Sequence, residues 1–229
     1  MINIIKTRFN VNFKHLENDL PNRHLDEKWL DYRLDLFLKY CAPSVLGQNR
    51  GDFYWIINFD KDTKQSFINK ISDLDKRIKP IILKKQEAEL LKNIKKEHDR
   101  FIFTRIDSDD CLKKDFINNI YNFSLNNINK EEFLIDINFL VLQSKTNYFY
   151  KKEMPVNVAS HFVSLCTKNI EANIYMQHGI IATHYDYNRI EDYLAIRVVH
   201  ESNLKNKFSK NQMVEKNIDI LNQFNIINL

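Results

Sequence analysis

Residues 101–116 read FIFTRIDSDDCLKKDF. An apolar, strand-forming run ends in Arg105, and Asp107, Asp109 and Asp110 then crowd into one short turn. Like charges repel, and folding alone gains nothing from gathering them. At the end of an extended strand, residues 107 and 109 project to the same side. Two carboxylates converging in this way are hard oxygen ligands suited to Mg2+ or Mn2+, ions that keep several waters and often bridge phosphates. The competing reading is helix capping, with Asp109 or Asp110 as the N-cap of CLKKDFINNIYNF and its neighbour stabilised by the positive helix end. Capping explains one or two of the aspartates and leaves the third. The stretch is not an EF-hand loop, because the required glycine and closing glutamate are missing.

Outward from this turn, strand-like and helix-like segments alternate. INIIKTRFNV (2–11), FYWIINFD (53–60), KPIILKK and RFIFTRID read as strands. Between them, EKWLDYRLDLFLKYCAPSVLGQ sets Trp29, Leu30, Leu34, Phe37 and Leu38 at helical spacing. TKQSFINKISDLDKR sets Phe67, Ile68, Ile71 and Leu74 on one face, and QEAELLKNIKKEHD and KKDFINNIYNFSL read as further helices. EEFLIDINFLVLQ and TNYFYKKE look like a hairpin, IRVVH (196–200) like a last strand, and KNQMVEKNIDILNQF like a closing amphipathic helix. The period is unclear between residue 155 and that last strand. This order predicts an α/β fold, a mixed but mostly parallel sheet flanked by helices, in which ligands bind beyond the carboxyl ends of the strands. The acidic turn sits at such an end.

Bulk properties exclude several classes. The chain has 229 residues, 44% of them hydrophobic, which suits one domain with a sizeable core. We expect one domain with a first half over 1–125, a second half over 126–204 and a C-terminal helix over 205–229. Three widely spaced cysteines, Cys41, Cys111 and Cys166, suggest reduced thiols in a cytoplasm. No stretch approaches the length of a membrane span, and the N-terminus lacks a signal-like apolar region. The 34 basic and 30 acidic residues form no basic stripe that would call for nucleic acid. With only three glycines, the chain lacks GxGxxG, GxxxxGK[ST] and GxSxG. Phosphates would have to be met by side chains and a metal.

TRFNV (7–11), WLDYRLDLFLKYCAPSVLGQ (29–48), FYWIINFD (53–60) and TRIDSDDCLKKDFI (104–117) occur in one order, followed by INF (137–139), HFVSL (161–165) and VVHESN (198–203). This series resembles the rhamnosyltransferase family, whose members look like A-type (GT-A) glycosyltransferases. The resemblance implies transfer of a sugar, rhamnose by the family label, from a nucleotide-diphosphate donor to a glycan or lipid-linked acceptor, with Mn2+ or Mg2+ as cofactor. It implies Asp107, Asp109 and His200 as metal ligands. It also implies Thr7, Arg8, Asn10, Asp60, Arg105, Asp107 and Asp110 as nucleotide-sugar contacts. Asp60 is equally placed to cap the helix near Thr63. Arg33, amid the helix, reads as an anchor for a carboxylate. An inverting transferase needs a carboxylate base. Asp136 and Glu171 lead that group, and Asp186, Glu191 and Asp192 complete it. The family commonly has a glutamate close after FVSL, where this chain has FVSLCTKNIE with Glu171 displaced. His178, His184, Tyr185 and Tyr187 are a candidate acceptor patch. The terminal helix, preceded by lysines, can pack on its own domain or touch the inner face of an anionic membrane. Two other readings stay open, a metal phosphohydrolase using the same aspartates and a binding protein with a decayed site.

Overall fold

The computed structural model describes residues 1–11, 23–155, 158–201, 203, 208–209, 212 and 215–226. β1 (Ile2–Arg8), β2 (Phe53–Asn58), β3 (Ile78–Ile81) and β4 (Phe101–Arg105) are parallel and lie in the order β3-β2-β1-β4. Their apolar runs are nearly continuous because both faces are covered, as parallel sheets require. Ile5, Trp55, Ile57 and Ile102 look one way, toward α1 (Glu27–Leu36), α3 (Gln65–Ser72) and α5 (Phe116–Asn126). Ile4, Ile56, Phe101 and Phe103 look the other way, toward Leu91 and Ile94 of α4 (Lys84–Glu97) and Ile181 of α6 (His178–His184). Leu74, expected on the buried face of α3, falls beyond the end of that helix and is exposed.

The long helix expected over 27–48 is interrupted. A π turn over Phe37–Cys41 separates α1 from α2 (Ala42–Leu46). Pro43 has no N–H for the Lys39 carbonyl, so the hydrogen-bond ladder slips by one residue there.

The second half widens the sheet. β8 (Ser164–Thr167) runs antiparallel to β4 and to β6 (Phe133–Gln143), and β9 (Asp186–Val199) runs parallel to β6. β5 (Cys111–Leu112) closes the far edge against β9, and β7 (Phe149–Lys152) pairs with β6 as the expected hairpin. The last strand is therefore much longer than IRVVH. Its first half is polar and half exposed, so it carries little apolar signal. The closing helix is shorter than expected. Among the described residues of that stretch only α7 (Ile218–Asn222) is helical, its N-terminus capped by the Asn217 side chain, and Glu215 instead bridges to Phe149 as extended chain. Residues 205–207, 210, 211, 213 and 214 of that stretch lie outside the described residues. Leu221 and Phe224 pack into a third cluster with Tyr40, Cys111 and Ile196, so the terminal segment packs on its own domain.

Candidate active site

The acidic turn leaves β4 at the carboxyl edge of the sheet. Asp110 N–H donates to the Asp107 carbonyl at 3.2 Å to close it, and β5 follows directly. This order removes the capping reading. α5 begins only at Phe116, its N-cap is Asp115, and no side chain caps it. The three aspartates do separate work instead. Asp110 is buried and its Oδ1 accepts from Val198 N–H at 2.9 Å, splicing the turn to β9. Burial and the charges of Asp109 and Asp107 push its carboxyl well above the usual range.

Asp109 is also buried, and it is held from two sides. Arg33 Nη1 donates to Oδ2 at 2.9 Å and Nη2 to Oδ1 at 3.2 Å, while His200 Nε2 lies 2.7 Å from Oδ2. Arg33 also donates to Ser108 Oγ. Burial alone would raise this carboxyl, but Arg33 and His200 outweigh it and hold the group well below the carboxylate range. Asp107 is different. It is exposed to solvent, yet protein crowds it elsewhere. Crowding and the neighbouring Asp109 raise its carboxyl, against the pull of Arg8, Arg105 and Arg33. Asp107 is thus the aspartate of the turn that solvent reaches.

Around the turn stand arginines from separate elements. The Arg8 guanidinium stacks 4.3 Å from the Tyr175 ring centre. Arg105 donates to the carbonyls of Ser160, His161, Ile174 and Met176, binding two loops to the end of β4. Burial lowers its pKa to about 10. Arg197 of β9 lies 3.1 Å from His161 Nε2 and offsets the charge of Asp110. Lys6 pairs with Glu87 at 2.5 Å, and Glu87 accepts from Asn58.

The other expected contacts separate. Thr7 is withdrawn into the core, where its hydroxyl accepts from Trp55 Nε1 at 3.0 Å. Asn10 is buried, donating to the His24 carbonyl and Thr63 Oγ1 and accepting from Asp60 N–H, so it ties β1 to the loop after β2. Asp60 does not cap α3, whose N-cap is Lys64. Asp60 accepts from Asp62 N–H and lies 3.4 Å from His24 Nε2.

Strand register locates the candidate bases. Thr104, Ser164 and Ile135 are opposite one another across β4, β8 and β6, so Asn138 stands level with Asp107. Asp136 is wholly buried, accepting from Ser160 N–H, from Tyr187 Oη at 2.7 Å and from Arg189 Nη2 at 3.1 Å. Its carboxylate faces these partners and not the cleft. Thr167 pairs with Phe101, so β8 carries Glu171 to the edge away from the acidic turn. Asp186 pairs with Phe133 at that same remote level, so Asp186, His184 and Tyr185 also stand apart, and Tyr187 is taken by Asp136. The His178 side chain lies outside the described residues. A bulge in β9 beside Ile137 and Asn138 inserts Glu191 and Asp192 at the level of Asp107, as bulges near active sites do. Asn138 Nδ2 donates to Glu191 Oε2 at 3.0 Å.

Sequence reading passed over Arg197, His161, Tyr175 and Glu191's place in a bulge. Arg197 alone carried a signal, a charge inside the apolar run IRVV. The donor types expected for a metal are present, but among the described residues no three His, Cys, Asp or Glu side chains converge on a common point. Asp107 alone fits a hard cation, in the mode where one carboxylate and substrate phosphates share it.

Comparison with known proteins gives a family and a fold. A family model described as "Putative rhamnosyl transferase" matches residues 5–212. The structure is similar to the crystal structure of S. aureus TarS 1-349, with a TM-score of 0.51 and 10% identity over 86% of this chain. The chain spans 60% of that TarS structure. A protein described as a "putative nucleotide-diphospho-sugar transferase" from Desulfovibrio desulfuricans G20 aligns at a TM-score of 0.40 and 9% identity, covering 84% of this chain and 81% of that one. Among curated proteins none matches. TarS supports the A-type glycosyltransferase fold and, at this identity, the fold alone.

Proposed function

The chain belongs to this rhamnosyl transferase family, and from that premise we propose that it moves a sugar from a nucleotide-diphosphate donor onto a glycan or lipid-linked acceptor. One observation carries the reading: Asp107 opens to solvent at the carboxyl end of β4, with Arg8 beside it, where α/β sheets bind nucleotides. Arg8, fixed against Tyr175, is set to meet phosphate. Asp107 would hold Mn2+ or Mg2+ together with the donor's phosphates, and the ion's charge would offset that of a diphosphate leaving group. Asp109 and Asp110 keep the turn in shape. Glu191, level with Asp107, is our candidate for the base that takes the acceptor proton, with Asp136 holding the loop at Ser160.

Two features bear on where such a protein works. Among the described residues no helix is long and apolar enough to cross a membrane. The exposed face of α4 gathers Lys84, Lys85, Lys92, Lys95 and Lys96 at helical spacing, with the exposed Leu83 at its start. That face suits an anionic lipid surface presenting a lipid-linked acceptor.

Thermal-shift titration with nucleoside diphosphates and nucleotide-sugars, with and without Mn2+, tests the assignment, since a ligand of the folded state raises the melting point. At least one nucleotide should stabilise the wild type in a Mn2+-dependent manner, and Asp107→Asn should lose that dependence. Glu191→Gln should keep the shift and lose transfer. A wild type indifferent to every nucleotide would end the transferase reading.

A further inference from the structure

Asp109 has the residue type and spacing of a metal ligand, but its surroundings are those of a completed ion pair. A guanidinium gripping both carboxylate oxygens is the strongest geometry such a pair adopts, and Arg33 does this at 2.9 and 3.2 Å. Arg33 is itself built in. Its helix is capped by Asp26, its Nη2 also donates to Ser108, and its guanidinium lies 5.7 Å from the Trp29 ring centre. His200, the expected third ligand, is likewise engaged. Its Nε2 faces Asp109 at 2.7 Å and Asn203 Nδ2 at 3.2 Å, and its Nδ1 lies 3.3 Å from Tyr32 Oη. Only Asp107 remains open to water.

We propose that Arg33 is the resident counter-cation of Asp109, standing where a divalent ion would otherwise sit, so that the free protein offers a metal one carboxylate and gains the ion only together with a diphosphate. The inference deepens the transferase reading and rests on it for the second half. Metal and donor then enter as one unit, because Asp107 alone is a weak site and the phosphates supply the remaining ligands. Arg33 thereby makes metal loading obey donor supply.

The test measures Mn2+ binding directly, by loss of the free-ion signal in electron paramagnetic resonance, with no turnover involved. Wild-type protein alone should bind Mn2+ weakly, and adding a nucleoside diphosphate should tighten binding. Arg33→Met should release Asp109 and tighten nucleotide-free binding by about tenfold, since each added carboxylate charge moves affinity by decades. The double variant Arg33→Met/Asp109→Asn should return to the wild-type value. Should Arg33→Met fail to fold, Asp109→Asn alone decides, because it should leave nucleotide-free Mn2+ binding unchanged. Tight binding by the wild type that Asp109→Asn abolishes would overturn the proposal. A nucleotide that never tightens Mn2+ binding, with the Arg33→Met effect intact, would count against the transferase reading and leave the counter-cation standing.

Discussion

At the scale of the residue, the acidic turn is a problem of charge placement, and its solution is to give each carboxylate a different environment. Asp110 is buried and accepts a backbone hydrogen bond, Asp109 is locked to a guanidinium, and Asp107 faces water. Asp136 shows the same principle away from the cleft. It is the internal acceptor for Ser160 N–H, Tyr187 and Arg189, and Arg189 in turn donates to the carbonyls of Met154, Pro155 and Val158. That network holds the chain up to Ser160, whose carbonyl accepts from Arg105. Asp136→Ala would remove the wholly buried acceptor that pairs with the partly buried Arg189 and should cost about 3 kcal/mol in urea denaturation. Asp136→Asn keeps an acceptor and should cost less. A base with no structural duty would behave otherwise, losing transfer with unchanged stability.

At the scale of the element, the segment after the turn is positioned by the end of α2. Ser44 Oγ accepts from Leu112 N–H, and Gln48 donates to the Lys113 carbonyl while accepting from Ile117 N–H. Gly47 lies between these two and is pressed by the C-terminal segment, where Asn225 (φ 53°) donates from Nδ2 to the Gly47 carbonyl at 3.0 Å. A Cβ at Gly47 would stand 2.8 Å from the Pro43 carbonyl oxygen and 2.5 Å from Asn225 Nδ2. The side chain can swing aside, but the carbonyl cannot. Gly47→Ala should therefore cost about 1–3 kcal/mol. Combining it with Asn225→Ala should cost less than the sum, because the two share a contact; strict additivity would show that Asn225 does not press there. The same elements explain what was legible. β1 to β4 announced themselves because burial on both faces demands unbroken apolar runs. β8 is only SLCT, and β9 opens as DYNRIEDY, whose polar residues are retained because that stretch is half exposed. The turn was legible as a motif. Its partners were not, since Arg33 and Val198 reach it across 76 and 88 residues, and a pairing of that span leaves no local pattern.

At the scale of the molecule, a net charge of +4 is distributed unevenly. Arginines are drawn inward around the aspartates, while the lysines of α4 stay outside, as their strong hydration favours, and Lys6 is the buried exception. On α4 the lysines occupy one face, and the glutamate nearest the cleft, Glu87, is turned inward to Lys6. The N-terminal end of α4 follows β3 at the cleft edge of the sheet, so a surface docked along this helix would lie beside the site and could present a lipid-borne acceptor to it. Each lysine near an anionic leaflet contributes about 1 kcal/mol at moderate ionic strength. The protein should then sediment with vesicles containing phosphatidylglycerol, less so as salt rises, and ignore vesicles of phosphatidylcholine alone. Lys85→Gln/Lys92→Gln/Lys96→Gln should weaken the association by at least about tenfold, with the nucleotide-dependent thermal shift retained, because these side chains are exposed and touch none of the turn's partners. Equal binding to neutral vesicles, or a triple variant that binds as the wild type does, would show that the lysine face serves solvation only.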